Sequence, residues 1–507
     1  MKSSRSTKHD EHIAREPIMR ETPAQRIERL LHTGDADGAL AAANQLLAQS
    51  PTSFVGRYAR CRANIRLRNF IDAETDIELA LALSPKDEQA NLTRATLDQR
   101  LGRNDAAFER MRRLASGRGS VAQEAAFALA EGLFNAGRLT EMKEFVAHGG
   151  DWLRDPRAGL VVARVKIDED FEDGLALFRS ILRGREHPLL RRAAGFEAAG
   201  RLDKVGRYRE AFEWASETHR ATTQPIDMDG WLRPLGDRMQ ALAHAPQLFA
   251  PRVAPVEGVA IVCAMPRSGT TLLEMMLDRH PSIGGIGEFD GLTDIQHGLG
   301  KTPGWPRNLC IVPERQLANE QSRYLAGARQ IRKEHASWTF DKSLLAWQIL
   351  LEIAAVLPGA VLLDVARDPR DLAVSQFMSF LSAEAYAWTR NLQLIRSMIE
   401  FRSRFVPHAI ASLGVDGGPL RFESFIYEDL VEDPAHYARK CLTRMGLPMN
   451  DAVLSPEKSS RGASTLSSQQ VKKPINRSSI GRWRNYEWAF DDSWTSLVAA
   501  HDARRER

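Results

Sequence analysis

Cysteine is scarce in this chain. Only four occur in 507 residues, Cys61, Cys263, Cys310 and Cys441, and none stand at a paired spacing. That argues against a cysteine-built zinc cluster and gives no sign of a disulfide framework. A reducing compartment fits, and the expected location is cytoplasmic. No apolar run reaches membrane-spanning length. The first residues are polar and mixed in charge, without the apolar core of a signal peptide. Met1 to about Glu21 is read as a flexible tail. A strong excess charge is missing too. The net charge is only +4, so no nucleic-acid partner and no membrane field are implied. What remains, 43% hydrophobic and 26% charged residues, is ordinary for a soluble globular protein. The length allows two or more domains.

The N-terminal half is rich in Ala, Leu, Arg and Glu, and it repeats. Gly34-Asp-Ala-Asp-Gly-Ala39, Arg68-Asn-Phe-Ile-Asp-Ala73 and Gly102-Arg-Asn-Asp-Ala-Ala107 align, with Ala39, Ala73 and Ala107 spaced 34 apart. Gly137 to Met142 and Gly206 to Ala211 continue the pattern, and Glu169 to Gly174 is a degenerate copy. Pro51 and Pro85 keep the same spacing. This period is the tetratricopeptide signature. The turn residue ends one helix, and the small residue lets the next pack closely. An all-α tetratricopeptide solenoid is therefore expected over 22–221. It is read as a docking surface for an acceptor or a protein partner. A proline-rich stretch, Ala245 to Pro255, falls in the linker expected over 222–256.

From 257 to 507 short apolar runs alternate with amphipathic segments. Strands are expected at Val259–Cys263, Trp338–Phe340, Ala360–Val365 and Leu420–Phe422. Helices are expected at about Thr270–Arg279, Leu344–Val356, Pro369–Phe380 and Pro434–Met445. The alternation predicts an α/β domain with a central parallel sheet, whose ligand sits at the carboxyl ends of the strands.

The chemistry begins where the first strand ends, at Ala264-Met-Pro-Arg-Ser-Gly-Thr-Thr-Leu-Leu273. A strand, a tight loop and a helix start aim backbone N–H groups and the positive helix end at one point. The register is P-loop-like, with Gly269 on the second glycine and Thr271 on the Ser/Thr. Ala264 replaces the first glycine. Thr270 replaces the lysine that would reach a triphosphate, and Arg267 supplies positive charge instead. A second motif, Val365-Ala-Arg-Asp-Pro-Arg-Asp-Leu-Ala-Val-Ser375, joins Arg367 at a strand end to Ser375 on a helix, a guanidinium and hydroxyl able to grip a phosphate. No acidic pair has metal-ligand spacing, so no metal is expected.

Together these motifs resemble the sulfotransferases that use 3′-phosphoadenosine-5′-phosphosulfate, and most of all the bacterial tetratricopeptide-repeat sulfotransferase family, which resembles tyrosylprotein sulfotransferases. The resemblance covers roughly Gly258 to Trp483. It implies that Arg267, Ser268, Gly269, Thr270 and Thr271 hold the 5′-phosphosulfate. Arg367, Ser375 and Lys473 would hold the 3′-phosphate, and Tyr427 would line the nucleotide site. Relatives carry another arginine four residues past the serine, where this chain has Ser379. Glu288, in the glycine-rich stretch His280 to Glu288 read as a loop, matches the general base, with Asp290 a nearby competitor. Lys342 matches the lysine facing the bridging oxygen, and Ser467 a catalytic-site serine. The implied reaction moves a sulfuryl group to an acceptor hydroxyl of a peptide, protein (a tyrosine among the options), carbohydrate or small molecule. Two other readings stand beside it: a repeat scaffold with an inactive nucleotide-binding domain, and a small-molecule kinase.

Overall fold

The structure is a computed structural model that describes residues 21–67, 69–244, 250–415, 417–459 and 474–506. The chain divides into two compact units, 1–158 and 159–507. The expected tail to residue 20, Arg68, part of the proline-rich stretch, and the segment holding Ser467 and Lys473 lie outside the described residues.

The first unit is helical and built from antiparallel pairs: α1 (Pro23–His32) with α2 (Ala36–Gln49), α3 (Phe54–Arg66) with α4 (Phe70–Leu83), α5 (Glu88–Arg100) with α6 (Asn104–Ala115), and α7 (Ser120–Asn135) with α8 (Leu139–Ala147). Thr22, Ser53 and Asp87 cap the first helices of three pairs by accepting a backbone N–H, which satisfies a donor with no partner inside the helix. Gly34, Gly102 and Gly137 take the left-handed conformation at the turns, with φ of 84°, 78° and 76°. Each 34-spaced alanine is fully buried.

Two more pairs open the second unit: α9 (Ala158–Glu169) with α10 (Phe171–Arg183), and α11 (Pro188–Lys204) with α12 (Tyr208–Thr222). At the degenerate copy the spacing puts Gly174 where the other repeats have alanine or methionine. A Cβ there would lie 2.2 Å from the Ile167 Cα, so α9 and α10 touch backbone to backbone. Helix α13 (Met228–His244) follows.

The α/β portion has five parallel strands in the order β2-β3-β1-β4-β5. They are β1 (Val259–Cys263), β2 (Ile283–Gly287), β3 (Trp338–Asp341), β4 (Val361–Ala366) and β5 (Arg421–Ile426). The helices between them are α14 (Thr270–Asp278), α15 (Gly291–Gly300), α16 (Glu314–Ile331), α17 (Leu350–Val356), α18 (Pro369–Phe377) and α19 (Leu392–Leu413); α20 (Tyr427–Glu432) and α21 (Pro434–Arg444) follow. Central β1 is buried on both faces, Val259, Ile261 and Cys263 in one core and Ala260 and Val262 in the other. Strands covered on both sides read as continuous apolar runs, which is why β1 and β4 are legible in the sequence. The first of these cores also holds Phe178, Phe196, Leu202 and Trp214 of α10 to α12, so the last helix pairs and one sheet face are a single hydrophobic body.

Three expectations change. The stretch read as a loop before Glu288 is edge strand β2. Its outward amides are satisfied by α14, where Asp278 accepts from the Gly285 N–H and Glu274 from the Gly287 N–H, both at 2.8 Å. Glycine propensity is overridden because a neighbouring helix supplies the acceptors. The helix expected over Leu344–Val356 is a 3₁₀ turn at Ala346–Gln348 followed by α17, interrupted at Ile349. Strand β5 runs on through polar Glu423 and Ser424 to Ile426, because its edge position tolerates them.

Candidate active site

Every strand of the sheet delivers a residue singled out in the sequence at its carboxyl end. The Arg267 loop follows β1, Glu288 follows β2, Lys342 follows β3, Arg367 follows β4, and Tyr427 follows β5. Parallel strands all point the same way, so residues far apart in the chain meet on one edge of the sheet.

The loop after β1 is tightly shaped. Gly269 has φ of 89°, and a Cβ there would sit 2.2 Å from a ring carbon of Tyr427. Only glycine lets the loop lie against that ring. Arg267 has φ of 72°, alone among the described non-glycine residues in being positive. Backbone strain of this kind persists only where the surroundings enforce it. Here they do: the Arg267 Nε donates to Ser375 Oγ at 3.0 Å, and its carbonyl accepts from Arg367 Nη1 at 2.7 Å. Ser268, Thr270 and Thr271 are buried beside it.

Arg367 is clamped as well. Its Nη2 donates to the Ser479 carbonyl at 2.5 Å, and its guanidinium lies 4.8 Å over the Tyr427 ring. Its buried Nε has no hydrogen-bond partner among the described residues. Burial, and then the charges of Arg367 and Arg482, push the Arg267 pKa down to about 10. It stays protonated at neutral pH, in a cluster whose cations repel one another. An orphaned donor, an excess of fixed positive charge and a backbone cradle suit a phosphorylated ligand. At Ser379 no cation is added, because its hydroxyl donates to the Ser375 carbonyl at 2.6 Å.

On the other side of β1, Lys342 is almost fully buried and its Nζ lies 2.7 Å from Glu288 Oε1. The Glu288 side chain is 52% exposed, so the carboxylate is open to solvent rather than desolvated as a buried base would be. Asp290 is exposed, just ahead of α15.

The structure adds residues that the sequence reading did not single out. Asp371 accepts from the N–H groups of Gly481 and Trp483 at 2.6 and 2.8 Å, and the Arg370 guanidinium stacks 3.6 Å from the Trp483 ring. Asp203, at the end of α11, accepts from Arg482 at 2.6 Å and from the Tyr486 hydroxyl at 2.5 Å. Together they pin the returning C-terminal segment beside Arg367. The aspartate in the Arg-Asp-Pro-Arg-Asp run could have suggested Asp371. Nothing local marks Asp203. Glu428, next to Tyr427, is raised by burial to about 7 and accepts from the Asp368 N–H. Among the described residues no group of His, Cys, Asp and Glu is placed to hold a metal ion, and no helix is long and apolar enough to cross a membrane.

The class of domain defined here is a parallel α/β sheet with an arginine-bearing loop at its carboxyl edge. The family match is more specific: residues 260–451 match the model of the sulfotransferase family. An uncharacterized protein of Aquifex aeolicus (strain VF5) is 26% identical over 377 residues, 70% of this chain and 47% of that one. Protein-tyrosine sulfotransferase 1 of Danio rerio is 24% identical over 245 residues, 43% of this chain and 63% of that one. The chain spans about half the length of the curated relatives it matches. The sulfotransferase domain from the Synechococcus PCC 7002 olefin synthase is 20% identical, covering 48% of this chain and 98% of that one, with a TM-score of 0.34.

Proposed function

We propose that the protein transfers a sulfuryl group from 3′-phosphoadenosine-5′-phosphosulfate to an acceptor hydroxyl, a protein tyrosine being one candidate. The observation that carries this reading is the convergence of Arg267, Arg367 and Lys342 at the carboxyl ends of adjacent strands, with Thr270 where a kinase needs lysine. The acceptor oxygen attacks sulfur in line while Glu288 takes its proton. The bond from sulfur to the bridging oxygen breaks, and adenosine 3′,5′-bisphosphate leaves. Negative charge grows on that bridging oxygen, so preorganised cations there lower the barrier most. Lys342 and Arg267 carry that role, and the amides of Ser268 to Thr271 grip the 5′ end. Arg367 and Ser375 take the 3′-phosphate, with Ser467 and Lys473 completing the site.

Adenosine 3′,5′-bisphosphate is expected to bind more tightly than adenosine 5′-monophosphate. Losing the charge-assisted contacts to the 3′-phosphate costs about 1.5–3 kcal/mol, roughly 10- to 150-fold in affinity at 1.4 kcal/mol per decade. Calorimetry measures it. Equal affinities would remove the assignment, and magnesium-dependent ATP binding would favour a kinase. Binding of the bisphosphate without turnover of any acceptor would favour the inactive scaffold.

The helix pairs are proposed to be tetratricopeptide repeats that dock an acceptor or a protein partner, because stacked pairs give extended surface. Removing residues 1–157 is expected to leave bisphosphate affinity intact and raise the KM for an acceptor delivered through that surface. An unchanged KM for the native acceptor counts against docking. Removing 1–221 is expected to abolish cooperative unfolding altogether, since it strips α9 to α12 from a shared core; circular dichroism during heating reads this.

A further inference from the structure

The Arg367 side of the proposed site is held from outside by the helix pair α11 and α12, which lies in the same compact unit as the sheet. Helix α18 carries Ser375 close to its end at Phe377, and that end is gripped. His219 Nε2 on α12 donates to the Phe377 carbonyl at 3.0 Å, and Phe212 packs on the Phe377 ring with centroids 4.7 Å apart. Just beyond, Arg192 Nη2 on α11 donates to the Leu381 carbonyl at 3.2 Å. Arg192 and His219 are both buried, so these contacts are shielded from competing water.

The returning C-terminal segment is held from two sides. Asp371 on α18 takes the N–H groups of Gly481 and Trp483. Asp203 on α11 takes the Arg482 guanidinium between them at 2.6 Å, and the Tyr486 hydroxyl at 2.5 Å. Tyr486 is the buried side chain of the 3₁₀ run Arg482–Ala489, and its ring stands edge-on to Tyr208 of α12 at 5.6 Å. The run is thus anchored on the helix pair as well as on α18. What the segment delivers is the Ser479 carbonyl. Both Nη atoms of Arg367 are aimed by backbone carbonyls, one of Arg267 and the other of Ser479. A charged group is aimed only as well as the groups behind it are fixed. Asp203 therefore acts on Arg367 through residues 479–482.

We propose that α11 and α12 are a working part of the subsite for the 3′-phosphate, and that Asp203 is a positioning residue that sets the preference for a 3′-phosphorylated nucleotide. This rests on the donor reading above. On it, the last helix pair serves the donor site, and docking is left to the helix pairs before it.

The test is calorimetry on the full chain with adenosine 3′,5′-bisphosphate and adenosine 5′-monophosphate, read as the ratio of their affinities. Asp203→Asn keeps the shape but loses the charge that holds Arg482. It is expected to weaken the bisphosphate about tenfold, the scale of one charge-assisted hydrogen bond, and to leave the monophosphate unchanged. Arg201→Ala is the matched control. It breaks another ion pair of α11, to Asp168 at 2.8 Å, without touching the C-terminal segment. Its ratio is expected to equal that of the unaltered protein, with thermal melts comparing the stability lost in each variant. An unaltered ratio in Asp203→Asn would mean that Asp371 alone holds the segment, and would overturn the proposal. An equal fall in Arg201→Ala would overturn it too, since general loosening of α11 would then explain the effect. Should Asp203→Asn fail to fold, Tyr486→Phe decides: it removes one hydroxyl and is expected to lower the ratio, and an unchanged ratio there rejects the proposal. A ratio near one in the unaltered protein would strike the donor reading itself, and this proposal with it.

Discussion

Glu288→Gln is expected to lower turnover about 10²–10⁴-fold while leaving bisphosphate binding intact. Glutamine keeps the shape and one hydrogen bond to Lys342 but cannot take a proton. Removing a general base typically costs that factor, equivalent to about 2.7–5.5 kcal/mol at 1.36 kcal/mol per decade. The half-exposed side chain leaves little packing to lose, but buried Lys342 loses its counter-charge, so some loss of stability is expected beside the loss of turnover. Single-turnover transfer of labelled sulfate, run beside calorimetry with the bisphosphate, separates the two effects. Near-full activity in the variant would move the base elsewhere, with Asp290 the next residue to test.

Replacing Lys342 is expected to cost about 10²–10³-fold in kcat, the usual loss when one preorganised donor is removed from a developing negative charge. Lys342→Met is the useful variant, since the buried slot around the stem stays filled and only the ammonium is lost. It also removes the ion pair between Lys342 and Glu288, so the two residues act as one unit and their effects are expected to be less than additive. A double variant about as slow as the slower single one fits that arrangement. A loss in kcat below tenfold, with bisphosphate affinity unchanged, would mean that Arg267 alone carries the charge on the bridging oxygen.

Much of this site is legible without any fold. A strand ending in a glycine-bearing loop and a helix start has few physical uses, and Ala264 to Leu273 spells it out in consecutive residues. Arg367 and Ser375 share one helix entry, so their spacing carries the same kind of local information. Gly34, Gly102 and Gly137 mark turns for a local reason too, because a left-handed backbone strongly favours glycine.

Other features are hidden because they depend on partners distant in the chain. Gly284, Gly285 and Gly287, just before Glu288, read as loop residues. They form an edge strand only because Glu274 and Asp278, one helix away, accept its free amides. A general base works best when partly shielded, and the exposure of Glu288 follows from the open edge of the sheet rather than from its sequence neighbours. Asp203 carries no local mark of its hold on Arg482, 279 positions later.

The sequence by itself determined the two kinds of architecture, the tight loop between β1 and α14 and the identities of the cations, because those rest on periodicity, turn chemistry and short spacings. Only the tertiary structure decided which residues meet: Lys342 with Glu288, Arg367 with Arg267 and Tyr427, and the last helix pairs with the sheet. The reason is physical. Parallel strand order gathers five separate strand ends along one edge, and burial of apolar surface, which is non-directional, fixes which helices close over it.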